Sequence, residues 1–269
     1  MRQRFDWRGG DWRRLVWPAL SVGGLFILWS AFQTPGAGFD FYTYWAVDPA
    51  HAYAGSFEGF NSFRYSPPLL WLAAPLKIFP FETAYIGWFA IQFGVLVYLT
   101  GRWALAWLLF LPVTSELYHG NIHLLLAGSL VVGYRWPALW AFLPLSKITT
   151  GSVLLAPLIR RDWRRLGTVA LAVVVLVLIS ELVTPNAWGD WIGRLLGERV
   201  ATLDEGGAAA LEIPLVVRLG AAVLIIVWAA LTDRRWPLAV ALALSLPQLW
   251  IHGLSILAAI PRLRAPRPT

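Results

Sequence analysis

The sequence predicts an all-α polytopic membrane protein, a bundle of about eight to ten transmembrane or half-length helices, on three observations. The 269 residues are 58% hydrophobic and only 14% charged, against about 25% charged in soluble domains, and the mean hydropathy is +0.61. Apolar runs recur along the whole chain, several of them close to the roughly 20 residues that a spanning helix needs. Arginine-rich turns punctuate these runs, as expected of cytoplasmic loops under the positive-inside rule. Residues 1–269 therefore read as one integral membrane domain, with external loops at about 34–66 and 184–212.

Composition also excludes chemistry. With no cysteine, the chain has no disulfides, iron–sulfur clusters or thiolate metal sites, and its 4 histidines are scattered, so no metal and no cofactor is expected. The formal charge of +7 lies in short tracts, which points to topology and anionic membrane lipid rather than to nucleic acid. The 17 tryptophans gather near segment ends and read as interfacial anchors.

Each element follows from this pattern. The basic stretch "MRQRFDWRGGDWRR" precedes an apolar run from Leu15 to Phe32 that lacks an A-x-A cleavage signal, so it reads as a retained first helix with a cytoplasmic N-terminus. The loop at 34–66 then emerges outside. "PPLLWLAAPLKIFP" is too short to span, whereas "ETAYIGWFAIQFGVLVYLT" is long enough and ends at Arg102. Trp103 to Val113 returns outward to a polar turn, "TSELYHGNIH", and Leu124 to Gly133 goes back in.

Pro137 to Leu145 and Ile148 to Ile159 flank "SKITTG" and end at Arg160–Arg165, four arginines in six residues. Crossing parity holds if these two half-length segments dip in and return. Such backbone is tolerated at depth only where it is buried in protein or lines a wet cavity. Gly167 to Val183 spans outward to a loop whose "WGDWIGRLLGERV" has amphipathic spacing, with Trp188, Trp191, Ile192, Leu195 and Leu196 on one side and Gly206 and Gly207 after it. Ile213 to Leu231 spans inward, and Pro237 to Ile260 is broken at "LPQLWIHG".

Polar groups near the apolar region are costly and become functional candidates. On the external side these are Asp40, Tyr42, Tyr44, Arg64, Tyr65, His119, Asn121, His123, Lys147 and His252. One carboxylate among cationic and imidazole groups suits binding an anionic lipid headgroup and removing a proton from a hydroxyl. Bland readings stand beside this one. Asp40 reads equally as a solvated loop acid, with Asp48 and Glu58 as rival bases. Lys147 reads as a snorkelling anchor, Arg64 and His252 as belt residues, and His119 with His123 as an interfacial pair. Glu181 and Arg218 read as a structural ion pair.

Four stretches in order, "FDFYTYW…FRYSPPLLWLAAPLKIFPF", "YHGNIHLLLAGSLVVG", "LPLSKITTGSVLLAPLIRRDWRR" and "LPQLWIHGLSILAAIP", resemble the glycosyltransferases of family 87. The resemblance covers residues 38 to about 260, and "SKITTG" departs from the family in lacking a proline soon after the lysine. It implies a GT-C-type bundle and transfer of a sugar, usually mannose, from a polyprenyl-phosphate sugar to a lipid or glycan acceptor on the outer face of the cell membrane. It further implies Asp40 as general base and Arg64, Tyr65, His119, Asn121, Lys147 and His252 as donor-phosphate or substrate contacts; Asp48, in the same loop near Trp45, ranks second as base on position alone. The rival expectation is a lipid-glycan transporter or noncatalytic membrane subunit, although the chain shows none of the related halves that many transporters carry.

Overall fold

The structure, a computed structural model, describes residues 11–53, 63–197 and 213–265. Among the described residues it is built from helices and no strand. Helix α1 (Asp11–Ala31) is followed by α2 (Phe39–Ala46), α3 (Pro67–Ala73) with a 3₁₀ segment Ala74–Ile78, and the long α4 (Phe81–Thr100). Then come α5 (Ala104–Trp107), α6 (Leu111–His119), α7 (His123–Val132) and α8 (Phe142–Ser146). After a 3₁₀ segment Ile148–Leu154 the chain continues through α9 (Leu155–Ile159), α10 (Trp163–Val183), α11 (Ala187–Gly197), α12 (Leu215–Leu231) and α13 (Pro237–Leu244). A 3₁₀ segment Ile251–Ala259 and α14 (Ile260–Arg264) close it.

Two stretches, Phe81–Trp107 and Trp163–Val183, are long and apolar enough to cross a membrane. The second carries Leu171, Leu178 and Leu182 at 65%, 58% and 82% exposure, a surface that is costly in water and suited to hydrocarbon. Its start is set by Asp162, whose side chain accepts the Arg165 amide, as an N-cap should.

The half-length pair around Lys147 is present as drawn from sequence: Pro137–Ala141 with α8, then Ile148–Leu154 with α9, meeting at an extended Lys147. The break in "LPQLWIHG" is present too, between α13 and the 3₁₀ segment that begins at Ile251. Three expectations need correction. The polar turn expected at "TSELYHGNIH" is mostly α6, because Pro112 sits in its first turn, where a missing N–H costs nothing. The turn itself contracts to Gly120–Ile122. Gly120 adopts φ 74°, and a Cβ there would meet Phe41 at 2.8 Å, so glycine is required both by the left-handed cap and by the packing.

Second, the first external loop holds α2, whose Phe41 and Tyr44 are buried. These rings are core. Third, α11 forms as its periodicity predicts but is tied down rather than free on a surface. Trp188 and Trp191 turn inward, the Trp191 indole donates to the Arg64 carbonyl at 3.2 Å, and Ile192 and Leu196 stay exposed. Glu58, Gly206 and Gly207 lie outside the described residues. The tryptophans likewise divide: Trp136 and Trp163 are exposed, but Trp140 is 1% exposed and donates to the Leu130 carbonyl at 3.0 Å.

Two apolar clusters result. The larger joins α4, α6, α7, α12, α13 and the Ile251–Ala259 segment, and the smaller is aromatic, centred on Phe41, Tyr44, Tyr65, Tyr85 and Trp191. Helices α1 and α5 approach so closely that a Cβ on Gly24 would lie 1.9 Å from the Leu105 carbonyl oxygen. Gly24→Ala is therefore expected to cost about 1–3 kcal/mol by overpacking. Gly94, with open space around it, supplies the control, and comparing the thermal midpoints of Gly24→Ala and Gly94→Ala in detergent checks the expectation.

Candidate functional site

The Gly120–Ile122 turn is the platform of the site. Helix α4 presents Tyr85, Trp88 and Gln92 on one face, at the three- and four-residue spacing that stacks side chains along a helix. Tyr85 donates to the Tyr118 carbonyl at 2.7 Å, Trp88 to that of Gly120 at 2.8 Å, and Gln92 to that of Asn121 at 2.7 Å. The backbone of the turn is thus held from behind.

Its side chains are oriented in consequence. Asn121 Oδ1 accepts the Ile122 amide at 2.8 Å, which turns Nδ2 toward Asp40, where it donates to Oδ2 at 2.9 Å. The same Oδ1 lies 3.5 Å from the hydroxyls of Tyr44 and Tyr65, which bond each other at 2.8 Å. Asp40 itself rides on α2, started by Gly38 at φ 76° and pinned by the Gly38 amide to the Tyr118 carbonyl at 2.8 Å. The carboxylate stays 23% exposed, so it is held and still reachable.

Around it stand the other sequence-nominated residues. His252 Nε2 is 3.5 Å from Asp40 Oδ2. Its ring lies 5.4 Å from that of His119 and 5.2 Å from that of His123, and it stacks on Trp250. Lys147 Nζ sits 5.6 Å from the Tyr65 ring centroid. Arg64, next to Tyr65, exerts its charge on both Tyr65 and Lys147. Asp40, Arg64, Tyr65, His119, Asn121, Lys147 and His252 thus come together from six separate elements. Asp48 does not join them. It is 56% exposed and paired with His51 at 2.9 Å, a bond that lowers its pKa below the usual carboxylate range.

Glu116 is the residue that the sequence reading missed. It is fully buried, and its carboxylate accepts the His123 amide at 2.5 Å, the Leu124 amide at 3.3 Å and His123 Nδ1 at 2.8 Å. A carboxylate two residues into "TSELYHGNIH", next to an apolar run, was the available signal. Glu116, Lys147 and His252 lie outside the apolar segments long enough to count as spans or near-spans. Burial raises Glu116 to about 7, partly offset by the nearby His252. Burial also pushes Lys147 down and lifts Tyr65. His252 is lowered to about 4, first by burial and then by His123, so its approach to Asp40 is a polar contact with a neutral imidazole rather than an ion pair.

The expected ion pair between Glu181 and Arg218 is absent. Glu181 accepts the Asn186 amide at 3.0 Å. The Arg218 guanidinium is buried and donates to four carbonyls: Ile213 at 2.8 Å, Leu244 at 3.1 Å, Leu246 at 2.5 Å and Pro247 at 2.8 Å. The broken end of α13 leaves carbonyls without helical partners, and one arginine satisfies them. That break leads directly to His252.

The family model of glycosyltransferase family 87 matches residues 63–260, most of the chain. The chain belongs to that family. It is a glycosyltransferase, and Arg64, Tyr65, His119, Asn121, Lys147 and His252 all fall inside the matched region, while Asp40 precedes it. Neither the curated proteins nor the solved structures contain a match. Asp40 is tied to the matched region by its geometry: the Asn121 bond and the His252 contact.

Removing Arg218 would strand its four carbonyls. Arg218→Met is expected to destabilise the protein by about 3 kcal/mol or more, read as a lowered thermal midpoint with faster hydrogen exchange across residues 244–250.

Proposed function

We propose that this glycosyltransferase is a multi-pass protein of the cell membrane, with a cytoplasmic N-terminus, and that it moves a sugar from a polyprenyl-phosphate donor to a lipid or glycan acceptor on the external face. Mannose is the sugar we assign first. The observation that carries the reading is a single reachable carboxylate, Asp40, oriented by Asn121 and set among Arg64, His119, Lys147 and His252. An inverting transfer needs a carboxylate on one side of the anomeric carbon and positive or hydrogen-donating groups on the other.

In this mechanism the acceptor hydroxyl approaches Asp40, and its proton passes to the carboxylate as the oxygen bonds to the anomeric carbon. The bond from that carbon to the phosphate oxygen breaks, and polyprenyl phosphate leaves with the electron pair. Lys147 and Arg64 offset the charge that develops on the phosphate, while the His119 and His252 imidazoles line the same side. Partial burial of these groups strengthens each interaction relative to water. No nucleic acid and no separate cofactor enters this scheme; the lipid-linked donor is a substrate.

The helix dimensions support an outward site. Helix α10 has 21 residues, so its ends stand about 30 Å apart, which matches the hydrocarbon thickness. The Arg160–Arg165 tract sits at its start, and its far end reaches α11, whose Trp191 contacts Arg64. The arginines therefore mark the inner side, and the Asp40 cluster faces the other.

The test is transfer by purified protein from polyprenyl-phosphate mannose. Asp40→Asn is expected to lower turnover at least about 100-fold, within the range for loss of a general base, while Asp48→Asn stays within about twofold of the parent. Undiminished turnover in Asp40→Asn removes the base assignment, and movement of a labelled lipid-linked sugar across vesicles without glycosidic bond formation replaces the enzyme by a transporter.

A further inference from the structure

Glu116, His123 and His252 come from three elements, and each offers one ligand atom, all within 4.8 Å of one another. They are 0%, 1% and 8% exposed. The histidines looked scattered in sequence because the two that meet here lie on α7 and on the late 3₁₀ segment. The fold brings them together.

The tautomer and the orphans carry the argument. Glu116 Oε2 takes His123 Nδ1 at 2.8 Å, which fixes the ring and aims its Nε2 at the Ile251–Ala259 segment; a Cβ on Gly253 would stand 4.0 Å from that nitrogen. His123 Nε2 has no hydrogen-bond partner, and neither does His252 Nε2. The two rings lie 5.2 Å apart, and, with Asp40 Oδ2 no nearer than 3.5 Å to His252 Nε2, two desolvated nitrogens are left without a hydrogen bond. One cation satisfies both at once. A carboxylate bonded to the far nitrogen of a ligating histidine is also the usual outer support of such a site, since it fixes the ring and raises its basicity.

We propose that His123 and His252 hold a divalent transition-metal ion through their unpartnered Nε2 atoms, with Glu116 as the outer support of His123, and that the ion is Zn²⁺. Two imidazole ligands favour zinc over the oxygen-seeking Mg²⁺ and Ca²⁺. The two imidazole ligands leave an open position for water or substrate, as a working rather than a purely structural zinc site does. That position lies on the side where Asp40 approaches His252 to 3.5 Å, so the ion adds positive charge beside the reading given above for the departing phosphate. The site itself rests on the side-chain geometry and stands or falls without that reading.

The experiment measures metal directly, with no sugar donor present. The full chain is purified in detergent, stripped with a chelator, and titrated with Zn²⁺ while bound metal is counted by mass spectrometry and thermal unfolding is followed. About one Zn²⁺ per chain, with a thermal midpoint that falls on stripping and recovers on reloading, is expected. His123→Asn and His252→Asn are each expected to lose stoichiometric binding, and Co²⁺ loaded into the parent is expected to show the visible bands of a low-coordinate site. A stripped parent that binds no more Zn²⁺ than a variant carrying both His123→Asn and His252→Asn overturns the proposal, as does Mg²⁺ binding in preference to Zn²⁺. Because the parent itself is titrated, misfolding of a variant does not obscure the result. Stoichiometric zinc without sugar transfer removes the function and keeps the site; transfer by a chain that binds no zinc does the reverse.

Discussion

A buried carboxylate organises this molecule. Glu116 has no access to solvent, yet it accepts two amides and a ring nitrogen at the point where α6 ends and α7 begins. The first turn of a helix presents unpaired N–H groups and the positive end of its dipole, and α7 has no side-chain cap of its own at Ile122. Glu116 supplies that cap from the preceding helix. The α6–α7 junction is therefore not a loop that happens to carry polar residues but a closed hydrogen-bonded unit, which fixes Asn121 toward Asp40 and His123 toward His252.

The rest of the site is held to this unit from two directions. Helix α4 donates three side-chain hydrogen bonds to the carbonyls of the turn, and Arg218 on α12 gathers the carbonyls left open where α13 stops. Both arrangements use side chains to satisfy backbone groups that water would otherwise have to reach. In a membrane protein the alternative partners are scarce, so irregular backbone and buried polar donors occur together. The segments around Lys147 follow the same logic on a smaller scale, with Thr150 Oγ1 donating to the Leu143 carbonyl at 2.6 Å.

Helices and breaks were legible because their determinants are local. Hydropathy delimited α4 and α10, prolines and glycines marked the interruptions, and the odd half-length pair around Lys147 followed from crossing parity alone. Asp40, Asn121, Lys147 and His252 were legible as a set because polar residues are rare enough in such a chain to stand out. What escaped depends on contacts between distant residues. Glu116 looked like one more residue of a polar turn, since nothing nearby in sequence reveals that α6 buries it. Arg218 looked like the partner of an acid because both sit near segment ends. Its true partners, the carbonyls of Leu244, Leu246 and Pro247, carry no signal in composition. The histidines were misjudged for the same reason: spacing along one helix says nothing about a meeting between α7 and the end of the chain.

The choice between the two loop acids shows how much the fold adds. In sequence Asp40 and Asp48 are eight residues apart in one stretch and chemically identical. Asp48 caps its own turn through the Ala50 amide at 3.1 Å, pairs with an exposed histidine, and faces bulk water. Water can carry protons to and from such a group, but nothing positions it against a reacting atom. Asp40 keeps roughly a quarter of its surface open while one oxygen is held by Asn121, so the orientation is set and the access is kept. A general base needs both. Of these two acids, the one tied to the α6–α7 junction has both, so the difference between them goes back to the constraint that Glu116 imposes on that junction.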